Sequence, residues 1–438
     1  MKKKIIMNFY NLKHKEEQLS FKEATIKGQG KDKGLFFPED ISKFSPEFLQ
    51  NLTQLSDEEI AYQVMKDFAG DEIPEAELSK IVAETIAFEI PLKKVTENIS
   101  VLELFHGPTL AFKDVGARFM SRCLGYFLKN ETRKVTVLVA TSGDTGGAVA
   151  NGFYDVEGIE VVILYPKNRV SPVQEKQLTA LGKNIHALEV NGSFDDCQAL
   201  VKQAFSDESL NEKLLLTSAN SINVARWLPQ QIYYVLALKQ WLKTHSENPV
   251  ICVPSGNFGN ICAGILAHHR GLPVEHFIAA CNVNDVVPEY LRTEILQPKE
   301  TVATISNAMD VGDPSNFVRI LELFDKEFNQ VKNKLSGYTI DDEETLKTIE
   351  RVEKDYGYVL DPHGAVAFVA LEKYLAENGG KGFFLETAHP VKFPDSVEKA
   401  TGKLVEIPES LQKLMKQEKF TTEINPQYEE LKGFLLKK

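Results

Sequence analysis

A series of short apolar runs constrains the fold of this chain more than any other feature. They are Val135–Ala140, Ile159–Tyr165, Ile185–Val190, Leu214–Thr217, Val250–Val253, Phe277–Cys281 and Phe383–Glu386, and segments long enough for helices separate them. A strand with one wet face alternates apolar and polar residues. Nearly unbroken β-branched runs are what strands buried on both faces require. The pattern predicts an α/β fold in which helices cover both faces of mostly parallel sheets. Helix signals fall between the runs. Ser193, with Asp196 three residues on, is a good N-cap, and Cys197, Leu200, Val201, Ala204 and Phe205 then recur along one face. Ser171-Pro172 opens another helix, which Gly182 is placed to end.

The 438 residues correspond to about three domains. Residues 1–90 carry few strand patterns and read as short helices and loops, for example Asp57–Phe68 and Pro74–Ala87. Pro91 opens a new regime. The expected units are an N-terminal extension (1–90), a smaller unit (91–230) and a larger one (231–438), with part of the early chain packing on the last. The charged region Lys332–Glu350 reads as an exposed helical excursion.

Acidic residues outnumber basic ones by 62 to 50, for a formal charge of −12. Nucleic-acid binders usually carry a basic footprint, so that class is disfavoured. The five cysteines are odd in number and none pair as C-x-x-C, which argues against a disulfide framework or a structural zinc and suits a cytoplasmic setting. The basic opening Lys2-Lys3-Lys4 is followed by too few apolar residues for a secretory leader. No apolar run approaches the roughly 18 residues of a membrane span. Among the histidines, His268 and His269 are adjacent on a helix and diverge, so metal ligation is not expected.

Two glycine-rich turns follow strands and precede helices: Thr141-Ser142-Gly143-Asp144-Thr145-Gly146-Gly147 and Ser255-Gly256-Asn257-Phe258-Gly259-Asn260. Free N–H groups and the positive end of the helix dipole make such places anion sites. Neither turn is a Walker loop or a dinucleotide fingerprint. The third feature is His106-Gly107-Pro108-Thr109-Leu110-Ala111-Phe112-Lys113-Asp114, where a lysine stands among small and apolar residues. Such a lysine loses its proton more readily, as an imine-forming amine must. An amine together with a phosphate-binding loop suits a cofactor that has both an aldehyde and a phosphate, and pyridoxal phosphate fits that description.

The chain resembles the threonine synthases, members of the fold-type II pyridoxal-phosphate enzymes that also include serine and threonine dehydratases and the tryptophan synthase β chain. The resemblance runs from about residue 88 to 400. It is carried by H-G-P-T-L-A-F-K-D (106–114), A-T-S-G-D-T-G (140–146), S-A-N-S-I-N (218–223), V-P-S-G-N-F-G (253–259), N-A-M-D (307–310) and T-A-H-P (387–390). Residues 1–87 look like the extension of the longer bacterial and fungal type. The implied fold is two open, twisted, mostly parallel sheets with a mainly helical extension.

The resemblance also implies roles. Lys113 carries the cofactor and acts as base, and Phe112 lies against the ring. Asp144 stands near the 3′-oxygen. Ser255, Gly256, Asn257, Phe258, Gly259 and Asn260 hold the cofactor phosphate, and Thr387 lies near the pyridine nitrogen. The implied substrate is O-phospho-L-homoserine, its carboxylate at Thr141, Ser142, Gly143 and Thr145 and its phosphate at Asn220, Ser221 and Arg226. Arginine suits a phosphate because its planar fork gives two hydrogen bonds. Asn220 and Asn223 could equally cap the following helix. Three other readings stay open: a phospho-lyase, a serine or threonine dehydratase giving 2-oxobutyrate, and a non-catalytic anion-binding module. Monomer and homodimer are both compatible with the sequence.

Overall fold

Two larger sheets hold the strands outside the N-terminal segment in a computed structural model that describes residues 7–129, 134–141 and 143–437. The larger has the order Leu335–Thr339, His276–Cys281, Val250–Pro254, Gly382–Glu386, Ile99–Glu103, Leu92–Lys94. Its neighbours run parallel except the last pair. The smaller has the order Thr421–Ile424, Ile185–Val190, Ile159–Pro166, Val135–Ala140, Leu215–Thr217, and is parallel throughout. All seven predicted runs are strands within a residue or so of their expected limits. Their residues are almost all buried, as two covered faces demand. Ser193 and Ser171 both form capping boxes, with Asp196 and Gln174. Among the described residues, no helix is long and apolar enough to cross a membrane.

The N-terminal segment contains the expected helices, Asp57–Ala69 and Glu75–Thr85. It also forms a small antiparallel sheet from Gln18–Ser20, Asn8–Asn11 and Phe36–Pro38. Strands of three or four residues are too short to show a period, so this sheet had no sequence signal. The segment braces the rest of the molecule. Phe21 packs on Phe119 and Phe127 of the helix Lys113–Leu128, with ring centroids 6.4 and 6.1 Å apart. The buried Arg270 donates to the Val64 carbonyl and pairs with Asp67 at 2.8 Å. Asn223 donates to the Thr25 carbonyl.

Three further departures from expectation concern the strands and how the sheets share them. Lys332–Glu350 is not a continuous helical excursion: the edge strand Leu335–Thr339 interrupts it before the helix Asp342–Tyr356. Ile99–Glu103 and Thr421–Ile424 are strands that were not predicted, the latter polar and mostly exposed. The sheets also cross the expected division at 230. Leu92–Lys94 and Ile99–Glu103 join the larger sheet, while Thr421–Ile424, from the last segment, closes the edge of the smaller one.

Candidate active site

Lys113 opens the helix Lys113–Leu128, and the loop before it is tightly fixed. Asp114 is buried, and its carboxylate accepts from the Thr109 N–H at 2.9 Å and the Thr109 hydroxyl at 2.5 Å. Gly107 lies so close to Asp114 that a Cβ there would come within 2.5 Å of Oδ2. On the other side, the Phe112 N–H donates to the Thr387 carbonyl at 2.9 Å, and Ala111 bridges Ala388. Thr387 sits just beyond the central strand Gly382–Glu386 and so lies directly beside the lysine.

Lys113 is half-buried. Its Nζ lies 5.5 Å from the centre of the Phe112 ring and has no hydrogen-bond or ion-pair partner among the described residues. Burial pushes its pKa below the ordinary lysine range. Asp144 opposes that shift, while Lys392 and Arg226 reinforce it.

The first turn leads from Val135–Ala140 into the helix Asp144–Phe153. The Thr141 hydroxyl accepts from the N–H groups of Gly143 and Gly146, both at 2.9 Å, and so holds the turn itself. Gly143 has φ +143°, and any side chain there would strike Gln174. Thr145 is half-buried, and Ser142 lies outside the described residues. Asp144 is buried and doubly held, by Lys392 at 2.7 Å and by the Gln174 amide at 2.9 Å. Although burial raises its pKa, the neighbouring cations Lys392 and Lys113 outweigh that effect and hold the carboxyl below the ordinary carboxylate range.

The second turn leads from Val250–Pro254 into Gly259–His269. Phe258 takes a left-handed conformation, φ +60°, immediately before the helix. Gly256 presses on the turn 307–309: a Cβ there would come within 2.7 Å of Met309 Cα. The Ser255 hydroxyl donates back to the Val253 carbonyl. Asn257 donates to the Ser221 hydroxyl at 2.9 Å, as does the buried Asn316 at 3.1 Å. This links the turn to the segment 218–226. Asn260 accepts from the Tyr234 hydroxyl, but its amide nitrogen is buried without a partner among the described residues.

Arg226 is only 4% exposed. It donates to the Ala219 carbonyl at 2.6 Å, and its Nε is buried without a partner among the described residues. It packs on Gly116, one turn along from Lys113, where a Cβ would come within 3.1 Å of that Nε. Burial lowers its pKa to about 10. Asn223 caps the short helix Val224–Trp227. Asn220 is half-buried, its N–H donating to the Ser218 hydroxyl.

Lys113, Phe112, Asp144, Thr387 and Arg226 therefore converge, and Ser221 joins them to the second turn. The sequence reading missed Lys392, Gln174, Asn316 and Arg319. Arg319 is buried and donates to Asn316 Oδ1 and to the Ile222 carbonyl. Lys392 did leave a signal: like Lys113, it is a lysine in an apolar stretch, Pro390-Val391-Lys392-Phe393.

The residues fit a group with an aldehyde and a phosphate. Among the described residues these are an unpartnered amine at Lys113, a left-handed turn at a helix start at Phe258, and two unpartnered buried donors, Arg226 Nε and Asn260 Nδ2. Fold and site define a pyridoxal-phosphate-dependent enzyme, and the family described as "Pyridoxal-phosphate dependent enzyme" matches residues 85–383. "Threonine synthase N terminus" matches residues 8–86, and "Threonine synthase, C-terminal" residues 364–435. A threonine synthase of Haemophilus influenzae is 46% identical over 98% of this chain and its own full length. The crystal structure of threonine synthase from Escherichia coli is similar at TM-score 0.92 and 44% identity, covering 98% of this chain and 100% of that one. A threonine synthase from Brucella melitensis, solved with pyridoxal phosphate bound, is similar at TM-score 0.92 and 35% identity, covering 98% of each chain. The chain belongs to the threonine synthase family.

Proposed function

We propose that this chain converts O-phospho-L-homoserine and water into L-threonine and phosphate. Bound pyridoxal phosphate supplies an electron sink for charge that develops beside the substrate nitrogen. The chain's own residues do the rest. Lys113 holds the cofactor and, once its amine is released by substrate, removes the α-proton and moves a proton at the β-carbon. Proton transfer by a positioned group of this kind contributes about 10²–10⁴-fold. Phe112 lies against the ring, and the hydroxyl of Thr387 serves the ring nitrogen without adding charge. Ser255, Gly256, Asn257, Phe258, Gly259 and Asn260 hold the cofactor phosphate through backbone N–H groups and the Asn260 amide.

The substrate carboxylate goes to the first turn, at Thr141, Ser142, Gly143 and Thr145. The substrate phosphate goes to Asn220, Ser221 and Arg226. The observation that carries this reading is the amine of Lys113, which has no hydrogen-bond or ion-pair partner among the described residues and whose neighbour Phe112 is hydrogen-bonded to Thr387. The cytoplasm is the proposed location, which five buried free thiols suit. The extension 1–90 serves as a brace for two cofactor-facing units, nominally 91–230 and 231–438.

Incubation with O-phospho-L-homoserine tests the reading. Threonine and phosphate in equal amounts are expected. Phosphate with 2-oxobutyrate would make the chain a phospho-lyase, and turnover of free serine or threonine instead would make it a dehydratase.

A further inference from the structure

Two lysines compete for one carboxylate at this site. Lys392 is fully buried, 2.7 Å from Asp144 Oδ1, and its Nζ also donates to the Thr109 carbonyl at 2.8 Å. Lys113 has no partner among the described residues, although Asp144 lies within electrostatic reach of it. We propose that Lys392 is a positioning residue that claims Asp144 and so leaves the Lys113 amine without a carboxylate to hold it as an ammonium.

The charges around the two amines support this. Lys113 faces Asp144, Lys392 and Arg226, one anion against two cations. Lys392 faces Asp144, Asp114 and His389. An ammonium at Lys113 would add a third cation beside Lys392 and Arg226, with Asp144 already paired to Lys392. Removing Lys392 would leave Asp144 free to pair with Lys113, which favours the protonated form. Gln174 alone would then hold Asp144. The Thr109 carbonyl would keep its second donor, the Gln177 amide at 3.0 Å, so the loop before Lys113 does not depend on Lys392 alone.

The proton matters because attachment of the cofactor needs the nitrogen lone pair. The amine attacks the aldehyde carbon, a carbon–nitrogen double bond forms, and the carbonyl oxygen leaves as water with both amine hydrogens. An ammonium cannot begin this step. The proposal rests on the reading of Lys113 as the attachment residue, and the experiment separates the two.

The full chain is stripped of cofactor with hydroxylamine, pyridoxal phosphate is added across a pH series, and the growth of visible absorbance is timed. In Lys392→Met the pH midpoint for capture should rise by about one unit or more, which slows capture near neutral pH about tenfold. Lys392→Arg should stay close to wild type. The double variant Lys392→Met/Asp144→Asn should return to it, because the competing carboxylate is gone. Should Lys392→Met not fold, Asp144→Asn carries the test, with a midpoint at or below that of wild type. A Lys392→Met midpoint equal to wild type, a double variant as shifted as the single, or a raised midpoint in Asp144→Asn would each overturn the proposal. Lys113→Ala is the separating control. If it still acquires the absorbance, the attachment reading fails and this proposal with it. If it does not, and Lys392→Met is unshifted, only this proposal fails.

Discussion

The two glycine turns end parallel strands in different sheets, and each starts a helix, but they treat charge in opposite ways. The first carries Asp144, paired at 2.7 Å with a lysine brought from 248 residues away in the chain (392 − 144). The second, Ser255 to Asn260, contains no charged residue and is held by amides and hydroxyls. A turn that already holds a compensated carboxylate is a poor seat for a dianion. A neutral turn at a helix start, with N–H groups and an amide nitrogen unpaired among the described residues, is a good one. On the proposed assignment, a strand-to-helix glycine turn does not by itself make a phosphate site, and the neighbouring charges distinguish the two.

Crowding the neutral turn should break the comparison most severely. In Gly256→Ala the new Cβ would meet Met309 Cα at 2.7 Å and the Ala308 carbonyl at 3.0 Å. Backbone must move, at about 1–3 kcal/mol, so the dissociation constant for pyridoxal phosphate should rise by about tenfold to a hundredfold, measured by equilibrium dialysis. Arg226→Ala should act on substrate instead. Loss of charge-assisted hydrogen bonds should raise the KM for O-phospho-L-homoserine by about tenfold or more, with cofactor affinity little changed. A variant that lost cofactor and kept its KM would show that the two phosphates had been assigned the wrong way round.

Ser221→Ala removes the hydroxyl that accepts from both Asn257 and Asn316. At about 1 kcal/mol, it should weaken cofactor binding several-fold and lower kcat less. The smallest effect on the site belongs to Glu386. This carboxyl is fully buried, and burial with Asp361 beside it pushes its pKa well above the ordinary range. Asp361 pairs with His363 at 2.6 Å, and His363 accepts from the Ala308 N–H under the second turn. A raised carboxyl pKa means the folded protein holds a proton that the unfolded chain releases. Stability is therefore full below the ordinary carboxyl range and falls as pH rises toward the folded value, by at most about 1.4 kcal/mol per unit. Thermal melts across pH should show that slope in wild type and lose it in Glu386→Gln.

Most buried strands were legible in the sequence and most edge strands were not, although Ile99–Glu103, buried and internal to the larger sheet, was missed and the edge strand Leu215–Thr217 was found. Buried central strands such as Val135–Ala140 and Ile185–Val190 matched their runs residue for residue, because two covered faces leave one residue pattern. Edge strands such as Leu335–Thr339 and Thr421–Ile424 have one bonded neighbour and half-exposed faces, so nothing in composition marks them. The same division runs through the site. Lys113, the glycine turns and Thr387 stand in contiguous motifs that can be read locally. Lys392, Asn316 and Arg319 act through contacts across the fold, and only the three-dimensional arrangement connects them with Asp144, Ser221 and the 218–226 segment. Lys392 stands in an apolar stretch as Lys113 does, and its sequence neighbours do not reveal that its partner is Asp144.

Lys113 and Lys392 both stand near Asp144, and the question is which of them carries the cofactor. Reduction of the yellow holoenzyme with borohydride, followed by digestion and peptide mass spectrometry, answers that directly. The label is expected on Lys113, in the peptide containing Ala111-Phe112-Lys113-Asp114, with Lys392 unmodified. A label on Lys392, or a colourless protein that takes no label in the presence of pyridoxal phosphate, would contradict it.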